Sequence, residues 1–191
     1  LITEGHKIFN LPFNSGLSYV RNYLVTKSKE PLILIIDDDL EFISNTRLSI
    51  FEDILIENEN ISCVGGQLIN RDPYNHDLIY DEKNKKIYYI KSTPINLKTI
   101  KTYANKSYDY FYSDSILNFF LAKREVFNDI QWDSDLKLVE HTDFFLRLKN
   151  TNWKVVYTSN VEVGHQDTSN SKIYTDFRSN VNKLGGLKIF L

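Results

Sequence analysis

The chain has 191 residues, a formal net charge of −2, 42% hydrophobic and 25% charged residues. That balance excludes disordered, collagen-like and disulfide-scaffold classes, and at this length one domain, residues 1–191, is the default. There is no basic excess, so no nucleic-acid partner is expected.

Residues His6 to Asn10 (HKIFN) read as a short strand. Pro12 and Asn14-Ser15-Gly16 form a breaker cluster, and Ser15 or Asn14 is placed to cap a helix running to about Lys27, with Leu17, Val20, Leu24 and Val25 as its apolar face. Leu32 to Ile36 (LILII) is a continuous apolar run of the kind found in a parallel sheet covered on both faces. Ser44 or Asn45 caps a second helix to about Asn58, and Ile61 to Ile69 (ISCVGGQLI) is the next strand. This first third therefore reads β-α-β-α-β. A hairpin follows, with strands Leu78 to Tyr80 and Ile87 to Ile90. Residues 92 to 112 are ambiguous. Ser115 to Leu121 (SILNFFL) reads as one strand, Arg124 to Asn128 as a short helix and Glu140 to Lys149 as a helix with acidic residues in its first turn and basic ones in its last. Trp153 to Tyr157 and Val161 to His165 read as two short strands, and the tail from Lys172 as helix.

The densest chemistry is Asp37-Asp38-Asp39, directly after the apolar run. Ligands bind beyond the carboxyl ends of strands in open α/β sheets. In extended chain Asp37 and Asp39 point to one side, and adjacent carboxylates need a cation or donors to offset their repulsion. Hard ions such as Mg²⁺ or Mn²⁺ suit oxygen ligands; the competing reading is a solvated, helix-capping loop. Glu140 and Asp143 share a helix face in Glu140-His141-x-Asp143, where either is a candidate general base or simply an acidic residue favouring the helix dipole. His165 ends a strand and is either a further metal ligand or an ordinary polar residue. Gly65-Gly66 permits close backbone approach, by a ligand or by a packed neighbour. Phosphate-cradling glycine motifs and zinc-type cysteine patterns are absent. The single cysteine, Cys63, favours a reducing compartment, and no apolar run approaches the ~20 residues of a membrane span. Met is absent and the chain opens on Leu1-Ile2, as expected of an internal piece of a longer reading frame.

Three segments together resemble glycosyltransferases of the GT-A fold. PFNSGLSYVRN followed by LILIIDDDLEF resembles the glycine, Arg-Asn and DxD run of family 2 type transferases, and ISCVGGQL follows at the usual distance. SDSILNFFLAKREVFNDIQWDSDLKLVEHTDFFLRL and then WKVVYTSNVEVGH are similar to the β-1,4-N-acetylgalactosaminyltransferases. The resemblance runs from about residue 9 to 170. It implies an α/β fold with a GT-A (Rossmann-like) mixed sheet flanked by helices, N-terminally truncated because relatives carry a further β-α-β segment before HKIFN. It also implies a metal-dependent inverting transferase that moves a GalNAc, Gal or GlcNAc type sugar from a UDP-sugar to a glycan or glycolipid hydroxyl.

Residue by residue, the resemblance implies Mn²⁺ or Mg²⁺ held by Asp37, Asp39 and His165, and Asp143 as the base. Asp38 and Arg21 fall beside the nucleotide, and Gly65, Gly66, Asn118, Trp132, Glu140 and His141 complete the expected substrate contacts. Trp132, Tyr110 and Tyr112 are candidates to stack on acceptor sugars, or to be core. Two other readings stay open: a non-catalytic nucleotide- or carbohydrate-binding relic, and an unrelated acidic cation-binding domain. A bacterial enzyme of this kind would be cytoplasmic and touch the membrane peripherally at lipid-linked acceptors; an animal one would lie in the Golgi lumen.

Overall fold

A computed structural model describes residues 5–94, 98–101, 107–136 and 138–166. The expected helical tail from Lys172 lies outside the described residues, as does part of the ambiguous stretch 92 to 112. In chain order the elements are α1 (Leu17–Lys27), β1 (Leu32–Ile36), β2 (Leu40–Glu41), α2 (Ser49–Glu57), β3 (Ile61–Leu68), β4 (Asn75–Asp81) and β5 (Lys86–Lys91). They continue with β6 (Lys98–Lys101), β7 (Ser107–Tyr112), β8 (Ser115–Ile116), β9 (Phe119–Lys123), α3 (Val126–Asp129), α4 (Glu140–Lys149) and β10 (Lys154–His165).

The main sheet runs β1-β9-β3-β10-β7-β6, with β2 added against the end of β10; β5-β4-β8 form a smaller sheet. β3 and β10 are parallel, while β9 is antiparallel to both β1 and β3. Strands β1, β3 and β10 therefore all point the same way, and their carboxyl ends share one edge. That edge carries the aspartate triplet after β1 and His165 at the end of β10. Among the described residues no helix is long and apolar enough to cross a membrane.

Alternation along the strands builds two apolar layers, one on each face. Cys63, Phe120, Ala122 and Val155 face a cluster with Phe127, Trp132, Phe144, Phe145 and Leu148. Their neighbours Val64, Phe119, Leu121 and Val156 face Ile50, Phe51, Ile54 and Leu55 of α2. Each such fully buried side chain contributes about 1.5–3 kcal/mol of transfer free energy, so the strand repeat places both cores at once. Burial pushes the Cys63 thiol up to about 12, which leaves it a packing residue.

Several expectations change in three dimensions. His6 to Asn10 form no strand; Ile8 is exposed and among the described residues no strand pairs with this segment, and an unpaired extended segment satisfies no backbone groups internally. α1 begins after Gly16, whose φ of 84° only glycine tolerates well, and no side chain caps it. Ser15 instead donates to the Pro12 carbonyl at 2.6 Å. The fully buried residues of α1 are polar, Ser18 and Arg21; of the expected apolar face Val25 packs partly buried against the core, whereas Leu17 and Leu24 are exposed. The second helix starts at Ser49 rather than near Asn45, because Thr46 is engaged by the Ile43 amide and the Glu162 carbonyl. Residues 115 to 121 divide into β8, which joins the small sheet through Asn75↔Ile116, and β9, which joins the main one. The two short strands expected after Trp153 are one strand, β10, with a register irregularity between Tyr157 and Glu162.

Candidate functional site

The break between β8 and β9 positions Asn118. Its backbone carbonyl accepts from the Asp37 amide at 3.2 Å, and its Nδ2 donates to Asp37 Oδ2 at 3.1 Å. Asp37 Oδ1 accepts from Arg21 Nη2 at 3.1 Å. The other arm of the same guanidinium, Nη1, lies 3.3 Å from Glu140 Oε1. The chain Asn118–Asp37–Arg21–Glu140 thus ties the strand break, the triplet, α1 and the first turn of α4 into one polar array. Arg21 is buried and its guanidinium carbon lies 5.6 Å from the Trp132 ring centroid, a cation–π contact beneath the array.

At the other side of the triplet, β2 pairs with the end of β10, Leu40 opposite His165. The Gln166 amide donates to the Asp39 carbonyl at 2.8 Å. This docking brings His165 Nε2 to 3.4 Å from Asp39 Oδ2. A carboxylate oxygen beside an imidazole nitrogen, both side chains partly exposed, is a donor pair that fits a transition ion such as Mn²⁺ better than Mg²⁺, which prefers oxygen alone. Asp37, expected as a third ligand, has both oxygens engaged by Arg21 and Asn118. Among the described residues no three His, Cys, Asp or Glu side chains converge as a cation site. Asp38 follows in a turn.

α4 divides its acidic residues. Glu140 turns to Arg21, whereas Asp143, only 2% exposed, accepts two hydrogen bonds on Oδ2 from Arg147, at 2.9 Å from Nε and 2.6 Å from Nη2. Arg147 also donates to the Gln131 carbonyl. His141 packs edge-on to Phe145 at 4.9 Å; burial, with the Arg21 charge second, drives its pKa down to about 4, so the imidazole is neutral.

Three expected substrate contacts are packing residues. Trp132 is 2% exposed, stacked on Phe144 at 4.5 Å and on Phe127 at 5.3 Å with the Arg21 guanidinium 5.6 Å from its centroid, so its ring is enclosed by the protein's own side chains. A Cβ on Gly65 would meet Ile116 side-chain carbon at 2.8 Å, and one on Gly66 would meet the Val161 carbonyl and the Phe119 ring. These glycines admit the close approach of neighbouring segments. Tyr110, the acceptor-stacking candidate, is also buried in the core, while Tyr112 is partly exposed. Reading along the chain missed the burial of Ser18 and Arg21 in α1 and the role of Asn118 in fixing Asp37; both depend on contacts distant in sequence.

A mixed sheet with this order and the DxD-like triplet beyond its strand ends is the GT-A fold, the fold of nucleotide-sugar glycosyltransferases. No family model matches the chain. In sequence it is similar to mouse β-1,4 N-acetylgalactosaminyltransferase 2, 24% identical over 96% of this chain. The chain spans 36% of that relative's length. In structure it is similar to GalNAc-T7 crystallised with UDP, GalNAc and Mn²⁺, with a TM-score of 0.59 and 16% identity over 80% of this chain and 30% of that one.

Proposed function

We propose that this chain is the donor-binding and catalytic part of a metal-dependent inverting glycosyltransferase that moves a sugar from a UDP-sugar to a glycan hydroxyl. The observation that carries the reading is the approach of Asp39 to His165 at the carboxyl edge of the sheet, beside the fixed Asp37. The resemblance in sequence to a GalNAc-transferase, and in fold to a UDP- and Mn²⁺-bound one, supports the substrate class.

Asp39 and His165 are the residues that would hold Mn²⁺ or Mg²⁺. A bound divalent ion supplies charge that offsets the developing charge on a leaving diphosphate. Arg21, paired with both Glu140 and Asp37, holds Asp37 in place for the ribose or sugar. The proton of the attacking hydroxyl falls to the first turn of α4. Both carboxylates are buried and paired with an arginine, but Glu140 accepts one long bond from Arg21, at 3.3 Å, where Asp143 accepts two from Arg147, at 2.9 and 2.6 Å; with its place on the Asp37 side, this favours Glu140 as the base. Attack opposite the leaving group then inverts the anomeric carbon.

The test is calorimetric titration of the chain with UDP, with and without Mn²⁺. Micromolar binding that requires Mn²⁺ supports the reading. Folded chain that binds UDP under neither condition defeats it and leaves the relic reading standing.

A further inference from the structure

Beside the array a row of rings runs inward from the hairpin. Tyr89 meets His76 at 5.9 Å and 87°, His76 meets Tyr74 at 4.7 Å and 76°, and Tyr74 meets His141 at 5.9 Å and 59°. The outer member, Tyr89, is 45% exposed, and its hydroxyl lies 2.7 Å from Thr142 Oγ1 in α4. On the row and around the strand beside it are buried polar atoms with no hydrogen-bond partner among the described residues: His76 Nδ1 and His141 Nδ1 on the rings themselves, and Asn75 Oδ1 and Asn118 Oδ1 at neighbouring positions. They gather around the two-residue strand β8: Asn75 is the register partner of Ile116, His141 bonds the Ile116 backbone, and Asn118 lies two residues on. Both imidazoles have pKa values lowered chiefly by burial, so each keeps one ring nitrogen with a lone pair.

Folded proteins leave few buried polar atoms unpaired. Two of these are ring nitrogens of the row itself, and they mark a place built for a polar guest. A pyranose matches that chemistry: its C–H face lies on aromatic rings, and its hydroxyls donate or accept as the site requires. Asn118 joins the place to Asp37, and His141 is adjacent to Glu140 in the same helical turn. A diphosphate belongs at the Asp39–His165 end, so the ring row lies where an attacking sugar is needed.

We propose that Tyr74, His76, Tyr89 and His141, with Asn118, form the subsite for the acceptor pyranose. The inference rests on the transferase reading above. The unpaired atoms are covered as they stand, so the sugar enters as the Tyr89 ring swings off Thr142.

The experiment is saturation-transfer NMR on the full chain with UDP and Mn²⁺ present, using methyl β-galactopyranoside, methyl β-glucopyranoside and their N-acetylated amino-sugar counterparts as probes. At least one probe should give signal. Tyr89→Ala and His76→Phe should each cut that signal about fivefold, the scale of one lost ring or hydrogen-bond contact, while UDP affinity stays within about twofold. His76→Phe keeps the ring and removes an unpaired nitrogen, so its melting temperature should hold or rise. Tyr88→Ala, on the neighbouring strand position that points to the other face, should change nothing. Saccharide signal that survives both variants overturns the proposal. So does UDP binding with no saccharide signal, which spares the transferase reading; loss of both in folded chain defeats both.

Discussion

Arg21 Nη2 lies 3.1 Å from Asp37 Oδ1, and the rest of that guanidinium is committed to Glu140 and the Trp132 ring. Removing one member of a buried ion network strands the others. Arg21→Ala should therefore cost about 3 kcal/mol, the lower end for a broken buried pair. The measurement is the urea midpoint, and UDP affinity should fall with it.

The Asp39–His165 pair is different, because both side chains are partly exposed. An exposed pair contributes at most about 1 kcal/mol to stability. Asp39→Ala and His165→Ala should leave the urea midpoint nearly unchanged yet weaken Mn²⁺-dependent UDP binding about tenfold or more, as loss of a metal-ligating or metal-orienting group does. Titration of each variant with UDP and Mn²⁺ checks this; unaltered binding in both would remove the metal assignment.

The two carboxylates of α4 should separate cleanly. Glu140→Gln is expected to abolish sugar transfer while UDP still binds. Asp143→Asn is expected to lower stability by about 2–3 kcal/mol, through loss of the charge-assisted bonds from Arg147, and to retain transfer in the folded fraction. Transfer that persists in Glu140→Gln and vanishes in folded Asp143→Asn would return the base to Asp143.

Gly65 tests packing against ligand contact. A methyl there collides with Ile116, so Gly65→Ala should destabilise by about 1–3 kcal/mol, the usual cost of overpacking. UDP affinity of the folded variant should not move. A stable variant with weakened binding would mean that the glycine faces a ligand after all.

His141 gives the chain an acid-sensitive element. Its pKa falls from 6.5 in the unfolded chain to about 4 in the folded one, and His76 shifts in the same direction. Between those values the unfolded chain binds more protons, so stability is full above about pH 6.5 and is lost as pH falls toward 4, by up to roughly 3 kcal/mol at ~1.36 kcal/mol per unit. The urea midpoint measured at pH 7 and at pH 4.5 should fall less in His141→Gln than in the unaltered chain.

The aspartate triplet, the strand that carries Gly65-Gly66, the hairpin and α4 were legible because apolar period, turn residues and end charges are local signals. The outward turn of Leu17 and Leu24 was not. An apolar stripe says which face of a helix prefers burial, but α1 buries Ser18 and Arg21 because Leu136, Asp37 and Glu140 supply their partners. The division at Asn118 was hidden inside an apolar run, since two different sheets compete for its halves.

By itself, then, the sequence determined the α/β class, the strand that ends in three aspartates and the helix that opens Glu140-His141-x-Asp143. Hydrophobic period and short spacing are written in neighbouring residues. Only the tertiary structure decided that His165 meets Asp39, that Arg21 bridges Asp37 and Glu140, and that Asp143 belongs to Arg147. It also decided that Trp132 and the paired glycines serve packing. Which side chain a charge or ring finds depends on strand order and on which helix docks over which face, and no local pattern carries that information.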